Sequence, residues 1–125
     1  MFLKKKEVNF GDEQIVLHEL SALQRADYFD FLAGKEIEVA GLEGLEFTAK
    51  SMRSMAESQV WLVSRSLWHN DRDRDVEEVY EEVAQTWSGS SLDEAVRVIS
   101  EISGMTTDES DEVKDPDTEP LTLEK

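Results

Sequence analysis

The acidic run that follows His69 is the densest group of side chains able to bind a metal. Three aspartates in residues 71–75 stand at positions one, three and five of a twelve-residue calcium loop, and Glu82 stands at position twelve. Position six is Val76, where the sharp turn of that loop needs glycine. Asp75 instead predicts the N-cap of a helix, with Glu78 completing a capping box. We therefore predict a helix here and no metal site.

A catalytic site is not indicated by the remaining residues. The chain has no cysteine, no glycine-rich phosphate loop, no Gly-x-Ser-x-Gly elbow and no HExxH helix. His69 beside Asp71 and Asp73 resembles a base with an orienting carboxylate, but no nucleophile accompanies it. His69 is instead predicted to end a helix, where the macrodipole favours its positive form. The sequence predicts a protein that is not an enzyme and has no cofactor.

The charge of the chain limits the classes of partner. The formal net charge is -16 and the pI is about 4.3. Binding to a nucleic-acid backbone needs a positive footprint, so a nucleic-acid partner is not expected. No apolar run is long enough to span a bilayer, and no membrane contact is expected. One interpretation is an acidic regulatory protein or nucleic-acid mimic that binds a basic partner.

Apolar periodicity predicts about four helices after an N-terminal β-hairpin. The hairpin spans residues 2–18 and turns at Gly11-Asp12. The longest helix is predicted for residues 48–70, and a loop or frayed helix end is predicted for residues 35–45. The expected caps, all read from cap-residue patterns, are Ser21, Asp75, Ser91 and, at a C-terminus, Gly104. The fold class is therefore mainly α, a small single-domain bundle.

Domain organisation follows from a change in composition near Thr106. Residues 1–105 carry nearly all the large apolar side chains and are expected to form the helical domain. Residues 106–125 contain both prolines and many carboxylates, so they cannot bury enough surface to offset the entropy of ordering. We predict a disordered acidic tail or linker there.

The aromatic residues are the candidates for a partner-binding face. In the helix that begins after Ser21, we expect Leu23, Ala26, Phe29 and either Leu32 or Ala33 to face inward, with Tyr28 and Phe31 on the flank. A small hydrophobic core could also bury all of these side chains. Both roles stay open for the candidate partner-binding residues, which are Tyr28, Phe29, Phe31, Trp61 and Trp68.

Five short blocks, in order, resemble the tail assembly chaperones of long-tailed phages with non-contractile tails (siphoviruses), the family of bacteriophage lambda minor tail protein G. The blocks are Met1-Phe2-Leu3-Lys4, Leu20-Ser21-Ala22-Leu23-Gln24-Arg25, Ser66-Leu67-Trp68-His69-Asn70, Thr86-Trp87 and Ser103-Gly104-Met105. They extend over residues 1–105, while residues 27–50 match the family poorly. The family often has proline after the Thr-Trp pair, where this chain has Ser88.

The resemblance implies a function in tail assembly. Such chaperones bind the tape measure protein, a long, largely helical and aggregation-prone chain, and keep it soluble until the tail tube forms around it. They are absent from the finished particle. A longer form, made by programmed ribosomal frameshifting, carries a second domain that recruits tail tube protein, and residues 106–125 would be the linker to it. A mainly helical fold, self-association, action in the host bacterial cytoplasm and a phage or prophage gene are also implied.

Overall fold

The chain folds as a helical bundle that carries a β-hairpin at its N-terminal end. The computed structural model describes residues 3–105. The elements are β1 Lys5–Phe10, β2 Glu13–His18, α1 Ala22–Val39, α2 Gly44–Trp68, α3 Val76–Thr86 and α4 Gly89–Ile102. The predicted fold class, four helices after a β-hairpin, is confirmed. The predicted acidic tail, residues 106–125, lies outside the described residues.

The hairpin is antiparallel and closes over a two-residue turn. Phe10 pairs with Glu13, and Gly11 between them takes a φ of +63° that a side chain would strain. Leu17 is fully buried on the face that meets the helices. An isolated hairpin is marginal in water, so its stability depends on this packing.

The core lies at one end of the molecule, around the second half of α2. Val60, Leu62 and Val63 of α2 are buried there. The other core residues come from the hairpin side and from α3 and α4: Leu17, Leu20, Val79, Val83, Leu92, Ala95, Val98 and Ile99. α1 contributes no buried residue, although it is 18 residues long. No helix in the described part of the chain is long and apolar enough to cross a membrane.

Two buried serines join the hairpin to the helices. The Ser66 hydroxyl accepts a hydrogen bond from the His18 backbone N–H at 2.7 Å and donates one to the His18 carbonyl at 2.8 Å. The Ser103 hydroxyl accepts from the Leu20 backbone N–H at 3.1 Å. These bonds satisfy backbone groups at the end of β2 that have no strand partner. Periodicity analysis missed both serines because it scores apolar side chains only.

We expect Ser66→Ala to destabilise the protein by about 1–3 kcal/mol, because it leaves both part-buried backbone groups of His18 without this partner. The measurement is the free energy of unfolding from urea titration. Ser90→Ala, at an exposed serine in the first turn of α4, is the matched control and should have a much smaller effect. Equal effects of the two substitutions would contradict this role of Ser66.

The predicted loop at residues 35–45 is wrong in extent. α1 continues to Val39, α2 begins at Gly44, and only residues 40–43 connect them. The Lys35 ammonium pairs with the Glu57 carboxylate of α2 at 2.5 Å, and this hydrogen bond raises the pKa of Lys35. Contact with α2 thus holds the last turns of α1 helical despite Gly34, whose helix propensity is low.

The helix caps fall close to the predicted residues, with one exception. Ser21 and Gln24 form a reciprocal capping box. Asp75 caps α3 by accepting a hydrogen bond from the Glu77 backbone N–H at 3.0 Å, so the cap is confirmed but the predicted capping box with Glu78 is wrong. Gly104 follows α4 with a φ of +70°. The prediction of Ser91 as a cap is wrong. The Ser88 side chain caps α4 by accepting from the Ser91 backbone N–H, because the helix begins one turn earlier.

Candidate partner-binding surface

The large exposed apolar side chains of the described residues are all in one region. We call this region the arm, defined as α1, residues 40–43 and the first part of α2 up to Glu57. The exposed side chains are Leu23, Phe29, Ile37, Leu45, Phe47, Met52 and Met55. Contiguous exposed apolar surface of this kind marks sites of protein interaction.

α1 has apolar residues on two opposite faces, and the face predicted to be inward is the outer one. Leu23, Phe29 and Ile37 are 78%, 54% and 75% exposed, and Ala26 and Ala33 are exposed beside them. The inner face instead places Tyr28 and Phe31 against Trp61 of α2, and Leu32, one of the two alternatives predicted to face inward, is half-buried. Both faces show helical spacing, so periodicity alone could not choose between them. Stacking of Tyr28 and Phe31 on Trp61 determines which face of α1 packs against α2.

The apolar stripe of α2 extends beyond the core. Val60 and Val63 are buried under α3 and α4, whereas Met52 and Ala56 on the same face are exposed. The Gln59 side chain donates a hydrogen bond to Asp93 in the second turn of α4. Packing of α4 on α2 therefore begins near Gln59. On the face of Met52 and Ala56, residues 44–57 therefore present about 20 Å of exposed helix beyond the core.

Three of the predicted binding residues form an aromatic stack between α1 and α2. The rings of Tyr28 and Phe31 each lie 5.7 Å from Trp61, with interplanar angles of 29° and 27°. Trp61 is only 8% exposed, and the Arg65 guanidinium lies 4.3 Å from its ring centroid. Burial raises the pKa of the Tyr28 hydroxyl. The stack fixes the position of α1 on the bundle.

The other two predicted binding residues lie apart from each other. Phe29 is on the outer face of α1, with its ring 5.6 Å from Tyr28. Trp68 ends α2, and its indole N–H donates a hydrogen bond to the Arg74 carbonyl at 2.9 Å. Trp68 and Trp61 both line a small cavity of about 220 Å³. The structure thus brings Trp68 close to the stack but not to the exposed arm.

A second concave surface lies between the hairpin and α3. Its volume is about 730 Å³, and its apolar lining includes Phe10, Leu67 and Trp87. The Phe10 and Trp87 rings contact at 5.3 Å between centroids. The rest of its lining combines further apolar residues, such as Ile15 and Val83, with neutral polar residues, Arg74 and the carboxylates of Glu13, Asp71 and Glu82. This groove could not be predicted from local patterns because its two walls are far apart along the chain.

The histidine near the acidic run is held neutral. His69 Nε2–H donates to the Gln24 side-chain oxygen at 2.8 Å, and its Nδ1 accepts from Arg72 at 2.8 Å. Burial, together with the charge of Arg72, lowers the pKa of His69 to about 4. The predicted positive form at the helix end is therefore wrong, because desolvation and a neighbouring cation outweigh the macrodipole. α3 begins at Val76, position six of the candidate calcium loop, so positions six to twelve are helical and the loop geometry is not formed.

Stability should fall as the pH is lowered through the range in which His69 titrates. The unfolded chain binds a proton near pH 6.5 and the folded chain only near pH 4, so protonation favours unfolding between these values. Because the ring is partly solvated, we expect a loss of only about 1–2 kcal/mol. Urea titrations at pH 7 and pH 4.5 measure it. Between pH 7 and pH 4.5 the His69→Gln variant should lose about 1–2 kcal/mol less stability than the unsubstituted protein. Equal losses of stability in the two proteins would contradict the assignment to His69.

Comparison with known proteins places these features in a family. A family profile described as "Bacteriophage lambda tail assembly chaperone, TAC, protein G" matches residues 1–120. Tail assembly protein G of Escherichia phage N15 is 32% identical over 142 residues, covering 100% of this chain and 96% of that protein. Tail assembly protein G of Escherichia phage lambda is 27% identical over 113 residues, covering 84% and 79%.

A longer relative matches as well. Tail assembly protein GT of Escherichia phage N15 is 31% identical over 116 residues, which cover 84% of this chain but only 44% of that protein. No solved structure matches the chain. The matched part of GT is thus a G-like segment within a longer chain.

Proposed function

Since this chain belongs to the family of bacteriophage lambda tail assembly chaperones typified by protein G, we propose that it binds the tape measure protein of its phage through the arm. Binding keeps that long helical chain soluble until the tail tube forms around it. The chaperone acts in the host bacterial cytoplasm and is absent from the finished particle. The observation that carries the proposal is the confinement of the large exposed apolar side chains to the arm.

The shape of the arm suits a helical partner. Two helices side by side expose apolar stripes with a period of three and four residues, the spacing used when an amphipathic helix packs against another helix. Met52 and Met55 lie on the α2 stripe, and flexible thioether side chains adapt to partners of varied sequence. A tape measure protein, with many similar helical segments, needs such tolerance.

The acidity of the chain suits the same function. A net charge of -16 keeps each bound copy repelling its neighbours, which opposes aggregation of the loaded complex. Several copies along one tape measure chain would add their charges. The carboxylates thus provide solubility while the apolar arm provides affinity.

A longer form of this chaperone would add recruitment of tail tube protein. GT of phage N15 contains a G-like segment in a longer chain, and residues 106–125 of this protein are where a comparable extension would join. The extension, made by ribosomal frameshifting, would carry the site for the tail tube protein. Its product should be visible as a second, larger band when the complete gene is expressed.

The test is co-expression with the tape measure protein encoded in the same genome. We expect tape measure protein to be soluble only with this chain and to copurify with it through a high-salt wash, since apolar contacts tolerate salt. Insoluble tape measure protein with no copurification, for the short and the long form alike, would overturn the proposal. Capture of a basic DNA-binding protein that washes off in salt would favour the alternative, an acidic regulatory or nucleic-acid-mimic protein.

A further inference from the structure

We propose that the outer face of α1 is a docking site for an amphipathic helix that has lysine or arginine on both sides of its apolar stripe. This inference rests on the proposed function and names the chemistry of the segment that the arm selects. It distinguishes the outer face of α1 from the α2 stripe, which we expect to bind apolar surface without regard to charge.

The apolar part of this face is a continuous stripe. Ala22, Ala26, Phe29, Ala33 and Ile37 follow each other at steps of four, three, four and four residues, and all are exposed. The alanines let a second helix come close, while Phe29 and Ile37 project between its side chains. The stripe runs the full length of α1, about 27 Å, so it matches a helix of about five turns.

Carboxylates border this stripe on both sides. Asp30 follows Ala26 by four residues and precedes Ala33 by three, and Glu36 follows Phe29 by seven and Ala33 by three, so helical spacing places one carboxylate on each side of the stripe. Among residues 3–105, no lysine or arginine forms an ion pair with either of the two. Arg25 is the basic residue at the same border, so two carboxylates stand against one guanidinium.

Basic residues are present elsewhere in the arm, on the side where α1 packs against α2. Within the described residues, the border carboxylates have no ion pair because these basic residues lie on the other side of α1. There, Lys35 pairs with Glu57, and Arg53 pairs with Glu57 at 3.3 Å. The charge of Glu57 is thus neutralised where α1 meets α2, while Asp30 and Glu36 leave negative charge where α1 meets solvent. An incoming helix with basic borders would gain ion pairs and steering that an acidic helix would lose.

A second copy of this chain is a poorer occupant of the same face. Pairing two α1 outer faces would bring four carboxylates together against two guanidinium groups, which is unfavourable when the apolar contact removes water from between them. Charge complementarity therefore selects a partner of opposite sign. Self-association of the chaperone, if it occurs, should use another surface.

Two synthetic helical peptides of 18 residues test the proposal on the full chain. They share one leucine and alanine stripe and differ only in having lysine or glutamate at the bordering positions. We expect the lysine peptide to bind at least tenfold more tightly, measured by fluorescence anisotropy at about 50 mM salt, with the ratio shrinking as salt rises. Asp30→Lys with Glu36→Lys should reverse the preference, and Phe29→Gln with Ile37→Gln should weaken both peptides.

Each outcome separates this inference from the proposed function. Equal binding of the two peptides, no binding, or binding indifferent to Phe29→Gln and Ile37→Gln would overturn the inference, even if tape measure protein still copurifies. Lysine-peptide binding without tape measure copurification would support this docking site and remove the proposed partner. Light scattering that shows dimers broken by Phe29→Gln would assign the face to a second copy and also overturn it.

Discussion

Replacing Phe29, Met52 and Met55 together with glutamine should reduce copurification of tape measure protein at least a hundredfold. Each side chain is more than half exposed in the free chain, so each can bury new apolar surface in a complex. Burial of a side chain of this size is worth on the order of 1.5–3 kcal/mol, and three lost contacts exceed the roughly 2.8 kcal/mol of a hundredfold change. The measurement is the amount of tape measure protein retained at equal chaperone loading.

The same triple variant should remain folded. Exposed positions away from special backbone geometry change stability by about 0.5 kcal/mol or less each, and glutamine is a good helix former. Ala84→Gln, at an exposed position of α3, is a control that should leave copurification intact. Retention of tape measure protein by the triple variant at the level of the control would remove the arm from the binding surface.

Replacing Trp61 with alanine should have the largest effect on stability, a loss of about 3–5 kcal/mol. The ring is nearly buried, and it contacts Tyr28, Phe31 and Arg65 at once. A cavity at this place removes the main contact that α1 makes with the bundle. Because net stabilities of small domains are about 5–15 kcal/mol, the variant should unfold at a much lower urea concentration.

Phe29→Ala provides the matched control for the tryptophan substitution. It removes an aromatic ring from the same helix pair, but from the exposed side, so we expect a loss below about 1 kcal/mol. Helical circular dichroism in the absence of urea separates two forms of failure. A partial loss of helix in Trp61→Ala would show α1 detached from a surviving core, and unchanged stability would show that the stack does not position α1.

Much of the fold could be predicted because its determinants are local. Gly11 in a two-residue turn, the Ser21 capping box and the apolar period of α2 each act within a few residues. The limits of elements that depend on distant contacts could not be predicted in the same way. The end of α1 is held by Lys35 against Glu57, and those residues are 22 apart in the chain.

The binding surface was harder to predict because exposure is a property of the whole fold. Leu23, Ala26 and Phe29 have a spacing typical of a core stripe, yet they lie on the outer face of α1. Likewise, Met52 and Val60 belong to one apolar stripe of α2, but α3 and α4 cover only Val60, and Met52 is exposed. The number of apolar residues in a helix can nevertheless be read from the sequence. α1 carries more apolar positions than one helix face can bury, and that excess is the signal for a partner.

Hydrogen exchange on the complex with tape measure protein would test the central claim most directly. Comparing free and bound chaperone, we expect slower exchange in residues 22–57, the arm, with little change in β1, β2, α3 and α4. Such a pattern would place the partner on the uncovered stripes. Slower exchange confined to the groove between the hairpin and α3, with the arm unchanged, would contradict the account.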